Sequence, residues 1–270
     1  MDTVTSCHEW QDYRPGGPET MFAVDGVTVD GTGCRGSMAS GPWMSGPENA
    51  AALGVLADNV LGYALIASAP PGRWSVSTEI SFDFLSPPPS DGTRLSAEGR
   101  LVHSSPGTGL AEGAVFASDG RPVARCRQWG RFLDEGPAGP PGETVLTGPC
   151  RSAAALAGTV RENASAVDGR VRLSLPIEED LVNPLRTLHG GITLWLTGLL
   201  AGLAVGSVGG PPVPASLSVS YLRPLVLGDV ATFRAEITSS GRRLAVTQVT
   251  GFSGTGKPCI VALAHHHGSR

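Results

Sequence analysis

Charge is scarce in this chain: 16% of its 270 residues are Asp, Glu, Lys or Arg, and the formal net charge is −4. No basic block interrupts it, so the electrostatic footprint of a nucleic-acid binder is missing. Cysteines are few and scattered. Cys7, Cys34, Cys126, Cys150 and Cys259 are odd in number, and no two have CxxC spacing. That excludes a disulfide framework or a zinc cluster and leads us to expect reduced thiols in a cytoplasmic protein. The first residues, MDTVTSCHEWQDYRPGG, lack the basic stretch and apolar core of a secretory signal. The most apolar run, Ile192 to Val208, is rich in small residues and follows a polar loop, so it reads as a buried helix and no membrane contact is expected. The terminal HHHGSR has no second cluster to complete a metal site and reads as solvated. No cofactor is implied.

Glycine and proline, by contrast, abound, with 37 and 22 residues. They stand between alternating apolar runs, as in a β-rich protein with many turns. Self-comparison organises these runs. In the second half, VRLSLPIEEDL alternates like a strand, and NPLRTLHGGITLWLTGLLAGLAV follows as a helix. Four strand-like runs then come from SLSVSYLRPL to CIVALAHH. In the first half, MFAVDGVTVDGTGCRGSMAS precedes the helical PENAAALGVLADNVLGYALIASA, and another four strand-like runs end at RQWGRFL. Local echoes tie the halves together at an offset of about 136 to 140 residues: ASDGRPVA with SGTGKPCIVA, and DNVLGYA with GLLAGLA. DEGPAGPPGETVLTGP between them reads as a linker. We therefore expect an N-terminal repeat over residues 1–135, a linker over 136–149 and a C-terminal repeat over 150–270. Ile192, Leu196, Leu199, Leu200 and Leu203 give the second helix a broad apolar surface for a sheet to wrap.

The run N-x5-HGG entering an apolar helix, followed by SVSYLRP, GD and GKPCIVA, resembles the PaaI-like acyl-CoA thioesterases of the hotdog superfamily. The resemblance covers residues of roughly 170 to 264 well and about 20 to 133 more weakly. It implies an α+β double hotdog: two repeats, each a long helix wrapped by an antiparallel sheet of about five strands, joined as a pseudo-dimer within one chain. It further implies hydrolysis of an acyl thioester carried by CoA or acyl-carrier protein, and a pairing of two such chains into a homodimer.

This sequence departs from the family pattern where the helix acid should stand, at Gly198. The repeat offset places Asp58 opposite Gly198, and Asn49 opposite His189. The two losses are complementary. Nine residues of helix span about 13–14 Å, too far for one helix to supply both the turn and the acid. In the family the turn resembles one subunit's contribution and the carboxylate its partner's. One composite site is thus expected from His189 and Asp58, with Asn49 facing Gly198 at a dead counterpart.

Within that site, backbone N–H groups at Gly190 and Gly191 would hold the charge developing on the carbonyl oxygen, glycine letting a ligand come close. Asp58 would act as general base or as nucleophile. Asn183 would orient water or fix the turn, His189 would hold the loop or bond the thioester oxygen, and Asn59 is a candidate substrate contact. Two other readings share these residues: a hotdog dehydratase or hydratase, and a non-catalytic binder of acyl or aromatic ligands.

Overall fold

The computed structural model describes residues 13–31, 33–69, 73–136, 146 and 148–268. Cys7 and most of the expected linker lie outside them.

A short helix, α1 (Gly17–Met21), leads into the hairpin β1 (Val24–Asp30) and β2 (Gly33–Ala39). A 3-10 segment over Pro47–Leu53 runs straight into α2 (Gly54–Ile66). The meander β3 (Trp74–Phe84), β4 (Arg94–Ser104), β5 (Thr108–Phe116) and β6 (Pro122–Leu133) completes the first half. The second half repeats this order. Helix α3 (Ala153–Asn163) precedes the hairpin β7 (Ser165–Val167) and β8 (Arg170–Pro176), then come α4 (Gly190–Gly206) and β9 (Val213–Tyr221), β10 (Val230–Ser240), β11 (Leu244–Phe252) and β12 (Pro258–His267). Each half therefore has six strands, one more than expected, because the strand before each helix is a hairpin.

The strands form a single antiparallel sheet in the order β1-β2-β4-β5-β6-β3-β9-β12-β11-β10-β8-β7. Read outward from the middle, both halves have the same order, which is the signature of a twofold relation. The axis passes through the β3–β9 ladder, where Glu79 pairs Ser220, Ile80 pairs Val219 and Ser81 pairs Ser218. Two edges that would otherwise be open templates for pairing are thereby closed.

Both long helices lie in the core. The stretch Pro47–Ile66 has the length and apolarity of a membrane span, yet it is largely buried inside the protein. Leu53, Val55, Leu56, Val60, Leu61 and Leu65 are all fully buried, as are Leu194, Leu196, Leu199 and Leu200 of α4. At about 1.5–3 kcal/mol for each large aliphatic side chain, this burial is the main reason the two helices sit under the sheet. They meet at their N-terminal ends, where a Cβ on Gly54 would come within 2.7 Å of Leu194 Cβ. The expectation of a solvated histidine tail is corrected here: β12 runs through it, and alternation turns His266 inward to 3% exposure.

Candidate active site

The N-terminus of α4 builds one wall of the site. His189 is its N-cap, in extended conformation, and its Nδ1 accepts from the Gly191 N–H at 3.0 Å. Asn183 shapes the approach: its Oδ1 accepts from the N–H groups of Leu185 and Thr187 and from the Thr187 hydroxyl. Of its two expected roles, fixing the turn is the one its carbonyl performs. Tyr221 reaches over from β9 and donates to the Gly190 carbonyl at 2.8 Å.

Helix α2 supplies the other wall. Asp58 Oδ2 lies 2.8 Å from the Gly191 nitrogen and 3.3 Å from His189 Nδ1, so the acid of the first repeat does meet the turn of the second. Its Oδ1 accepts from Ser77 at 3.2 Å, and Ser77 in turn accepts from Gln128 Nε2 at 3.0 Å. Gln128 Oε1 is buried and finds no partner among the described residues. On the far side of the imidazole, His189 Nε2 lies 3.2 Å from Glu19 Oε1. Glu19 belongs to α1, where its Oε2 accepts from the Gly16 N–H at 3.0 Å.

Two carboxyls and an imidazole are thus packed into an apolar junction, Glu19 at 5% and His189 at 7% exposure. Burial opposes the charge on Glu19. The adjoining His189 and the Asn59 amide outweigh it and hold the carboxyl below its usual range. For Asp58 burial prevails and raises the carboxyl, with Glu19's charge adding to the rise and His189, Gly191 and Ser77 pulling back. Burial also works against the His189 cation, but the hydrogen bond and charge of Glu19, and the charge of Asp58, raise the imidazole above its ordinary value.

Three expectations need correcting. Gly191 is not the open donor: its N–H is taken by Asp58 and His189, and the direction its side chain would occupy runs into the backbone of Val55 and Gly54. Helix packing, rather than ligand approach, demands glycine there. Gly190 lines the cleft, and nothing among the described residues accepts from its N–H. Asn59 is no ready substrate contact either. Its amide protons go to Glu19 at 3.1 Å and the Val55 carbonyl at 2.9 Å, and its oxygen takes the Tyr13 hydroxyl at 3.0 Å. At the counterpart junction Gly198 meets Ala51 instead of Asn49, whose side chain bonds Ser45 and Arg161. That space has collapsed to about 10 Å3.

The complete junction opens into a cleft of about 510 Å3, a size that suits a small-molecule ligand. Gly62, Tyr63, Ile66, Trp74 and Leu133 line one part of it, while Arg131 and Arg223 bring charge to others. A larger groove, about 650 Å3, lies on the outer face of the sheet among the Arg127–Glu79 and Arg100–Glu112 pairs, and His189 is not part of its lining. Glu19, Ser77 and Gln128 escaped the sequence reading. Gln128 had left a sign: it shares the inward phase of β6 with Cys126, Gly130 and Phe132.

Known proteins match both halves. Residues 185–260 fit the thioesterase superfamily model, and residues 22–132 fit that of the acyl-CoA thioesterase C-terminal domain. Acyl-coenzyme A thioesterase 13 of Homo sapiens is 32% identical over 87 residues, which cover 32% of this chain and 62% of that protein. The 1,4-dihydroxy-2-naphthoyl-CoA thioesterase 2 of Arabidopsis thaliana is 31% identical over 96 residues, 35% of this chain and 60% of its own. The chain thus spans less than two thirds of these relatives' length. Over the whole fold, a candidate thioesterase from Novosphingobium aromaticivorans superposes on 90% of this chain and 98% of its own, with a TM-score of 0.61 at 17% identity. The resemblance to hotdog thioesterases holds in both halves, and the tandem fold is a shared one.

Proposed function

We propose that the protein hydrolyses acyl thioesters at the single composite junction of Asp58, Gly190 and His189. The observation that carries this reading is a carboxylate from one repeat, its side chain 11% exposed at the cleft wall, set against the open N–H of a helix start from the other. The thioester carbonyl oxygen accepts from the Gly190 N–H, where the helix dipole favours the developing negative charge. Gln128 and Ser77 flank Asp58 on the sheet side, and Gln128 Oε1, without a partner among the described residues, is an acceptor for the attacking water. As water adds to the carbonyl carbon, Asp58 takes its proton; as the tetrahedral intermediate collapses, the C–S bond breaks and Asp58 returns that proton to the departing thiolate. Direct attack by Asp58 on the carbonyl carbon uses the same geometry: the C–S bond breaks, the thiolate leaves and is protonated by solvent, and water opens the mixed anhydride to the acid and the Asp58 carboxylate.

The reading takes the PaaI-like type within the superfamily, on the strength of the N-x5-HGG turn. It takes CoA or acyl-carrier-protein esters as substrates, the named activity of the curated relatives favouring CoA. A reducing, cytoplasmic setting accords with the unpaired thiols of Cys34, Cys126, Cys150 and Cys259.

A panel of acyl-CoA esters tests the proposal. Asp58→Asn keeps the shape and removes the base, so kcat/KM should fall at least ~100-fold while the melting temperature holds. Full activity in that variant would place the chemistry elsewhere. Hydration of an enoyl thioester without hydrolysis would favour the dehydratase class, and binding without turnover a ligand carrier.

A further inference from the structure

The imidazole of His189 raises a question about a single proton. Gly191 offers one N–H to two acceptors, Asp58 Oδ2 and His189 Nδ1, which themselves lie 3.3 Å apart. Two lone pairs that close repel each other unless a hydrogen sits between them, either on the carboxyl or on the ring nitrogen. What decides its place lies behind the ring. Glu19 Oε1 is 3.2 Å from Nε2, and its carboxylate is fully committed as an acceptor, with Gly16, Asn59 and His189 all directed at its two oxygens. Three donors on one carboxyl are the environment of the ionised form.

We propose that Glu19 is a positioning residue of this site: acting through His189, it holds the shared proton on the imidazole, so that Nδ1–H donates to Asp58 Oδ2, the Gly191 N–H goes to that oxygen alone, and Asp58 stays a carboxylate. An imidazolium between two carboxylates carries less net charge than the bare pair, and Glu19 contacts the ring directly while reaching Asp58 only through it. Its negative charge therefore favours the ring over Asp58 as the proton's seat. The other titratable groups near Glu19 do not compete. Burial pushes up the hydroxyls of Tyr13 and Tyr63 and the Cys150 thiol, keeping each neutral. Tyr13 instead secures the arrangement, donating to Asn59, which donates to Glu19.

The kinetic half of the test rests on the thioester reading; the spectroscopic half does not. In the intact chain, 15N NMR should show the His189 ring, assigned by the loss of its signal in His189→Gln, doubly protonated at pH 7.5, above the ordinary histidine value of 6.5. In Glu19→Gln, which retains an oxygen for Nε2–H, that signal should become a neutral ring. Asp58 then loses the neighbouring imidazolium, a larger change than losing the weaker repulsion of Glu19, so the acidic limb of the kcat/KM profile should also move up by about one pH unit or more, with the rate recovering at high pH and KM little changed. A purely structural role would lower the rate at every pH and leave the limb in place, which overturns the proposal. A neutral His189 in the unmodified protein overturns it too, whether or not Glu19→Gln folds. Absence of thioester turnover would fail the functional reading while the ring signal still judges Glu19.

Discussion

A methyl group on Gly190 would land 2.7 Å from Asp58 Oδ2, whereas one on Gly191 would run into the backbone of Val55 and Gly54. These neighbours separate chemistry from stability. Gly191→Ala should lower the melting temperature by several degrees, since overpacking costs about 1–3 kcal/mol and each kcal/mol is worth about 2–4 °C at this size. Gly190→Ala pushes only on a carboxylate, so kcat/KM should fall more than stability does. Thermal melts beside steady-state rates check the pair, and the opposite ranking would mean that Gly190, not Gly191, is the packing glycine. Asp58 and His189 were legible because each is a polar intrusion in an apolar, repeated segment. Glu19 was not, since nothing in the sequence sets a short turn before β1 against a helix start about 170 residues later. What GGPE did display, a proline near the first helical position and a glutamate at the third, announces α1 but not where its carboxylate points.

At the level of elements, α2 presents Asp58 and then, one turn on, Gly62, and both line the cleft. A Cβ at Gly62 would meet only Gln128 Nε2, at 3.8 Å. Ile66, Trp74 and Leu133 line the same cleft, so the acyl tail of the proposed substrate would have an open path past the missing side chain. Gly62→Leu should obstruct that path. Short acyl esters should be hydrolysed as before, and long ones should lose roughly tenfold or more in kcat/KM, the scale on which a pocket reads apolar bulk. A uniform loss across chain lengths would locate the tail elsewhere. Helix α4 shows the opposite use of glycine. Gly198 and Gly202 let the segment Pro47–Leu53 lie flat against it, touching through Ala51 and Glu48. Gly198→Asp should therefore destabilise the protein and restore no second site. The same offset that pairs Gly198 with Asp58 pairs Ala51 with Gly191, and the methyl group Ala51 carries in place of that glycine's hydrogen lies against Gly198.

For the whole molecule, the succession of elements along the chain and the twofold plan were legible because alternation, turn residues and the echoes between halves all agreed, whereas the order of strands within the sheet was not. The hairpins before each helix were hidden because a glycine turn within an alternating run resembles a bulge as much as a reversal. The halves are interlocked beyond the β3–β9 ladder. Arg161 of α3 pairs with Glu48 at 3.0 Å, and Arg151 holds Asp180 where it packs against Gly17. A chain divided between residues 136 and 148 should thus give halves that lack cooperative melting alone and recover it when co-expressed, as circular dichroism can show. Independent folding of either half would sink this. The collapsed junction, finally, fixes a count. A symmetric dimer of such repeats would bind two acyl groups and leave room for one to influence the other. Here a titration with a non-hydrolysable acyl-CoA should saturate at one equivalent per 27.7 kDa chain with a Hill coefficient of one, and two equivalents would show that the second junction still binds.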